Sequence, residues 1–182
     1  MNCWKSVRFL RDYGTIRVAI FSISAMMVFF TLFYVGFLDL HPHVQISRIG
    51  LPFFLAALIL VYPLHKLFHC LPLWFSGHKA SLSLERNSNG VPVLFCDLPK
   101  PVSRNLAIIY VAFPVTAITI VALAAASAAP NFFHYIAVAA SINFGFSIMD
   151  CIYLSFLIKA PSYAYVEDFR DGFHILIQRF KQ

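Results

Sequence analysis

Residues 50–74 read GLPFFLAALILVYPLHKLFHCLPLW, and nearly every side chain in the run is apolar. A bilayer span takes about 20 mostly apolar residues, so this stretch predicts a transmembrane helix. Comparable runs lie at about 18–39, 105–129 and 131–159, the last two joined only at Ala128-Ala129-Pro130-Asn131 and therefore a helical hairpin. Composition agrees with this pattern. The 182 residues are 60% hydrophobic and 12% charged, with twenty phenylalanines and a mean hydropathy of +0.75, which excludes an ordinary soluble domain. The expected fold class is an all-α membrane protein of four transmembrane helices forming a single domain over 1–182.

The net charge of +6 is read by position, not as a nucleic-acid signal. Lys5, Arg8, Arg11 and Arg17 precede the first span. Lys79, Arg86, Lys100 and Arg104 lie between the second and third, and Lys159, Arg170, Arg179 and Lys181 follow the fourth. The other side has Arg48 alone, so both termini are expected in the cytoplasm. The N-terminal MNCWKSVRFLRDYGTIR is too polar for a signal-peptide core, and its basic part is expected to lie on anionic lipid. Cys3, Cys70, Cys96 and Cys151 have no spacing of a zinc ribbon or redox motif. Between the second and third spans, ASLSLERNSNGVPVLFCDLP alternates apolar and polar about a turn at Asn87-Ser88-Asn89-Gly90, which predicts a small cytoplasmic β-hairpin over about 80–96. SYAYVEDFRDGFHILIQRF, residues 162–180, is a second extended candidate that packs on the last span.

Titratable side chains within a span are costly, and each marks a functional candidate. The second span offers His65, Lys66 and His69; the fourth offers Asp150, the one carboxylate well inside an apolar run. Residues i and i+4 share a helical face about 6 Å apart, so His65 and His69 can reach one ion. Counted from Gly50 and Asn131 at 1.5 Å per residue, the histidines lie about 23 and 29 Å down their span and Asp150 about 29 Å down its own. Two imidazoles and a carboxylate at one level form the ligand set of catalytic zinc. Without metal, the same residues read as an intrabundle Lys66–Asp150 ion pair in a structural or regulatory membrane protein. Four spans and a single interior carboxylate disfavour a transport pathway. Pro63 and Pro114 are expected to kink their helices and free backbone carbonyls toward a cavity. Trp74 reads as an interfacial anchor, and His41 and His43 as solvated loop residues.

HKLFH at 65–69, CDLP at 96–99, AFP at 112–114 and NFGFSIMDCIYLSFLIKAPSYAYVEDFRDGFHI at 143–175 together resemble the zincin-peptidase family of bacterial, Bacillus-type membrane proteins of unknown function. The resemblance spans residues 50–175, and through it the chain is similar to the site-2 intramembrane metalloproteases. It implies a site-2-protease-like core in a bacterial cytoplasmic membrane, zinc held by His65, His69 and Asp150, and a substrate-handling role for Asn143. A transmembrane protein segment, with lipid around it, is the implied substrate or partner; nothing in the sequence sets the oligomeric state.

One position departs from the pattern. Where H-E-x-x-H peptidases place the glutamate that moves the proton, this chain has Lys66. A protonated lysine is no base, so Lys66 marks the position of the missing catalytic group. The alternatives are a peptidase with its carboxylate supplied from elsewhere, Glu85 or Asp97 being the hairpin's candidates, and an inactive pseudoprotease that binds without cutting.

Overall fold

The structure, a computed structural model, describes residues 2–8, 12–47, 50–86, 92–169 and 172–177. The Asn87-to-Gly90 turn, Val91, Arg11, Arg48, Arg170, Arg179 and Lys181 of the sequence reading lie outside the described residues. The apolar runs fold as helices α1 (Thr15–Leu40), α2 (Leu51–Phe75), α3 (Arg104–Ala128), α4 (Phe133–Phe146) and α5 (Ile148–Lys159). The first three are each long and apolar enough to cross a membrane, and α4 with α5 makes a fourth span when the bent pair is taken together. The chain is a multi-pass membrane protein by length and composition.

The fourth run is broken where the sequence predicted a continuous span. α4 and α5 meet at 47° around Ser147, whose Oγ and backbone N–H both donate to the carbonyl of Asn143, at 2.9 and 3.0 Å. A serine that bonds back to the carbonyl four residues earlier bends a helix. The break lies between Asn143 and Asp150, two of the candidate site residues.

The strand content exceeds the expected single hairpin. β2 (Ser81–Arg86) and β3 (Pro92–Asp97) form that hairpin, with Leu84 opposite Leu94. A second, four-stranded antiparallel sheet has the order β1-β6-β5-β4, built from β1 (Asn2–Arg8), β4 (Val102–Ser103), β5 (Tyr165–Phe169) and β6 (Gly172–Ile177). The all-α expectation is therefore corrected to a mostly helical chain with two small sheets. The N-terminal segment places Asn2–Arg8 in β1 along β6, with Lys5 Nζ 4.3 Å from the Phe156 ring centre. The second extended candidate does form strands, as β5 and β6.

Both sheets lie at the same end of the bundle, where α1 begins, α2 ends, α3 begins and α5 ends. One core joins sheet to helices there. Val7, Val166, Phe173 and Ile175 of the strands are buried with Leu73, Ala107, Val111 and Leu157 of the helices. Arg104, in the first turn of α3, donates from Nε and Nη2 to the carbonyls of Leu157 and Ile158 at 2.8 and 2.9 Å. It reinforces the C-terminal end of α5, adding a donor to the Leu157 carbonyl, which also takes the Ala160 N–H, and supplying one to Ile158. A smaller core of Phe37, Ala126 and Phe133 holds the far end. His41 and His43 line an open hollow at that end, with His41 stacked on Phe37 at 4.4 Å. Trp74 donates from Nε1 to the carbonyl of Ala80 at 2.8 Å, pinning the end of α2 to the start of the hairpin.

Candidate metal centre

His65 and His69 stand one turn apart on α2, their rings edge to face with centres 5.0 Å apart. Both are buried, at 2% and 6% exposure. Asp150, in the first turn of α5, reaches both: its Oδ2 lies 3.1 Å from His65 Nε2 and 3.4 Å from His69 Nε2. The structure thus brings the three predicted ligands together, with one ligand atom from each lying within 4.8 Å of the others. Asp150's ion-pair contacts among the described residues are to the histidines and not to Lys66.

Hydrogen bonds on the far sides of the rings fix what the near sides can do. His69 Nδ1 donates to the backbone carbonyl of Tyr110 at 2.9 Å. A carbonyl can only accept, so the proton of a neutral His69 is on Nδ1 and Nε2 carries a lone pair. His65 Nδ1 donates to Asn143 Oδ1 at 2.9 Å, which sets the same tautomer. Two imidazole lone pairs and a carboxylate oxygen then face one another, and Asp150 Oδ2 is buried with no hydrogen-bond donor. Three converging acceptors of this kind could hold a metal ion, and a proton on one imidazole is the other way to satisfy them. The spacing suits the metal ion. Ligand atoms about 2.0–2.1 Å from a tetrahedral zinc are about 3.3 Å apart; the two separations to Asp150, 3.1 and 3.4 Å, bracket that value, and all three ligand atoms lie within 4.8 Å of one another.

The Tyr110 carbonyl is available because of Pro114. In a helix that carbonyl would accept the N–H four residues on, and proline has none. Pro114, within α3, leaves the acceptor open for His69. Asn143 is wholly buried, and its side chain contacts His65, one of the candidate ligands. Partners of this kind orient metal ligands, and losing one typically reduces affinity about 10- to 100-fold. Asn143→Leu is accordingly expected to weaken zinc binding by about that factor, measured by competition with a chromophoric chelator.

A cavity of about 320 Å³ opens beside the cluster, lined by Lys66, His69, Asp97, Tyr110, Asp150 and Asp168 among others. The Asp150 side chain is 16% exposed, enough to face it. Lys66 is on the wall, in the same turn as His65. Asp97 also lines the cavity and accepts a hydrogen bond from Ser83, whereas Glu85 is not among the lining residues. Cys70 is buried and Cys151 exposed, both outside the ligand group.

Residues 58–165, more than half of the chain, match the family described as "Putative zincin peptidase". The chain belongs to the zincin-peptidase family. No curated protein and no solved structure matches it. The matched segment of this zincin-family chain holds all three residues of the converging group, along with Tyr110, Pro114 and Asn143.

The sequence reading did not find the Tyr110 carbonyl, Tyr153 or Asp168. A backbone acceptor has no residue-type signal, though Pro114 four positions on gave an indirect one. Asp168 was read only as part of an extended segment. In the fold the hydroxyls of Tyr110 and Tyr153 both donate to it, 3.1 Å from each other, and it is only partly exposed. Burial pushes its carboxyl above the ordinary value, against the two phenol donors, His69 and Lys66, which favour the ionised form.

Proposed function

We propose that this zincin-family protein holds zinc through His65, His69 and Asp150 and takes an extended peptide segment into the adjoining cleft. The observation that carries this reading is the convergence of three acceptor atoms, two of them imidazole nitrogens turned inward by hydrogen bonds on their far sides. Zinc bound there would supply Lewis acidity toward a peptide carbonyl and toward water. The chain's own residues bind and orient. β3 pairs with β2 on one edge only among the described residues, and Phe95, Cys96 and Asp97 of β3 line the cleft. An extended segment added along the hairpin would hydrogen-bond through its main chain and lie across the cluster. The basic residues around the strand-bearing end favour a cytoplasmic position for the site, in a site-2-protease-like arrangement.

A pseudoprotease that binds a membrane partner without cutting it is the second reading, favoured by Lys66 at the position where H-E-x-x-H sequences have glutamate. The structural ion-pair alternative has less support, because Asp150 contacts the histidines in place of Lys66.

Zinc content tests the shared premise. Detergent-purified protein, stripped with chelator and resupplied, is expected to retain about one zinc per chain by mass spectrometry. His65→Ala and His69→Ala are each expected to abolish retention while the chain stays folded. A wild-type chain that takes up no zinc would sink the reading.

A further inference from the structure

A second carboxylate, Asp168, lines the same cleft as the ligand cluster, three residues beyond the family-matched segment. We infer that Asp168 supplies the proton-transferring carboxylate that Lys66 displaces from the H-E-x-x-H position, so that the cleft cuts peptide bonds as well as binding them. The inference rests on the metal reading above.

Asp168 shares the cleft with His69, Lys66 and Asp150. It is tied to the cluster through one residue: Tyr110 accepts from His69 through its backbone carbonyl and donates to Asp168 through its hydroxyl. Tyr153 of α5, three residues after Asp150, holds the other carboxylate oxygen. Each oxygen keeps a second lone pair, and the side chain is partly exposed to the cleft. Two rigid phenols thus fix a carboxylate on the cavity wall at one end of β5. Asp97, the other carboxylate of the cleft outside the ligand group, is exposed on the hairpin and engaged by Ser83. Burial of Asp168 moves its proton affinity toward the neutral range where a general base works best. The titratable groups facing it are Lys66 and His69 of α2, Tyr110 of α3, Asp150 and Tyr153 of α5 and Cys96 and Asp97 of β3; its cross-strand neighbour on β6, Phe173, carries no charge.

In the step assigned to it, the Asp168 carboxylate takes a proton from water as the water oxygen bonds to the peptide carbonyl carbon and the carbonyl π pair moves to its oxygen. On collapse the C–N bond breaks, its electron pair goes to nitrogen, and the proton held by Asp168 passes to that leaving amine. One water is consumed, and a carboxyl and an amino terminus form.

The test uses the full chain in detergent and a pool of quenched fluorescent decapeptides of randomised sequence. The zinc-loaded wild type is expected to cleave them, with a kcat acid limb above the ordinary carboxylate value. Asp168→Asn is expected to retain about one zinc per chain and, zinc-free, to bind the peptides with an unchanged anisotropy midpoint. Its kcat is expected to fall about 100-fold or more, within the range for lost general acid–base catalysis, with KM changed less than about threefold. Adding Lys66→Glu to Asp168→Asn restores a carboxylate at the motif position and is expected to recover at least about tenfold of the loss; a mere tether would not be rescued in this way. If Asp168→Asn does not fold, Asp168→Glu replaces it, expected to hold a tenth or more of the activity and the acid limb. A zinc-loaded wild type that cleaves nothing overturns the inference while leaving the metal reading standing. So does an Asp168→Asn chain within threefold of wild type, or a loss that Lys66→Glu does not rescue. A wild type that binds no zinc overturns the metal reading and this inference with it.

Discussion

Asp150→Ala is expected to leave a folded chain that no longer holds zinc, its content falling from about one per chain to below about a tenth. The substitution removes the oxygen that both histidines face, at 3.1 and 3.4 Å, and leaves two imidazole nitrogens as the only donors from this group. The loss should exceed the roughly 10- to 100-fold effect of removing a supporting partner such as Asn143. Thermal unfolding with and without zinc provides the second measurement. A ligand that binds only the folded state stabilises by about 2.7 kcal/mol at a hundred times its Kd and about 4.1 kcal/mol at a thousand times. Wild type should show a zinc-dependent rise of this kind, and Asp150→Ala should show none. A zinc-dependent rise that survives in the variant would mean the ion sits elsewhere. The chain without metal also distinguishes two accounts of the same atoms. If a protonated His69 were simply paired to the carboxylate, the wild type would gain nothing from zinc.

Gly172→Ala is expected to be the most damaging change of a single methyl group. Gly172 opens β6, pairing with Arg8 on one side and with Phe169 on the other. A methyl group there would collide with the backbone carbonyl of Val7, and neither strand can yield without breaking the ladder between the N-terminal and C-terminal segments. Collision with backbone between two paired strands places it at or above the upper end of overpacking costs, about 3 kcal/mol, or on the order of 10 °C in Tm. Denaturation of the purified protein checks it. Zinc content should be little changed in the fraction that stays folded, because the ligands stand on α2 and α5. An unaltered midpoint would show that β1 does not pair along β6 in this register. The same substitution at Gly36, where a Cβ meets nothing within 4 Å, is the natural control.

The local and periodic features of this protein were legible in its residues. Run length and apolar content alone set the helices, because a bilayer fixes how many apolar residues a span requires. The four-residue spacing put His65 and His69 on one face because 3.6 residues make a turn, and a rise of 1.5 Å per residue carried Asp150 to the same depth even though its span proved to be broken at Ser147. Alternation about a polar turn located the hairpin. Tertiary structure decided the rest. Nothing local couples Asn2–Arg8 to Gly172–Ile177, since strand pairing across the whole chain depends on where the bundle brings its ends. The tautomers of the two histidines were settled by a buried amide on α4 and by a carbonyl on α3 that Pro114 leaves without its helical donor. Asp168 joined the cleft because β5 folds back over α3 and α5, where two tyrosines separated from it by 58 and 15 residues hold its oxygens. Sequence spacing sets which side chains share a face of one element; it cannot set which faces of different elements meet, because that depends on packing the whole chain at once.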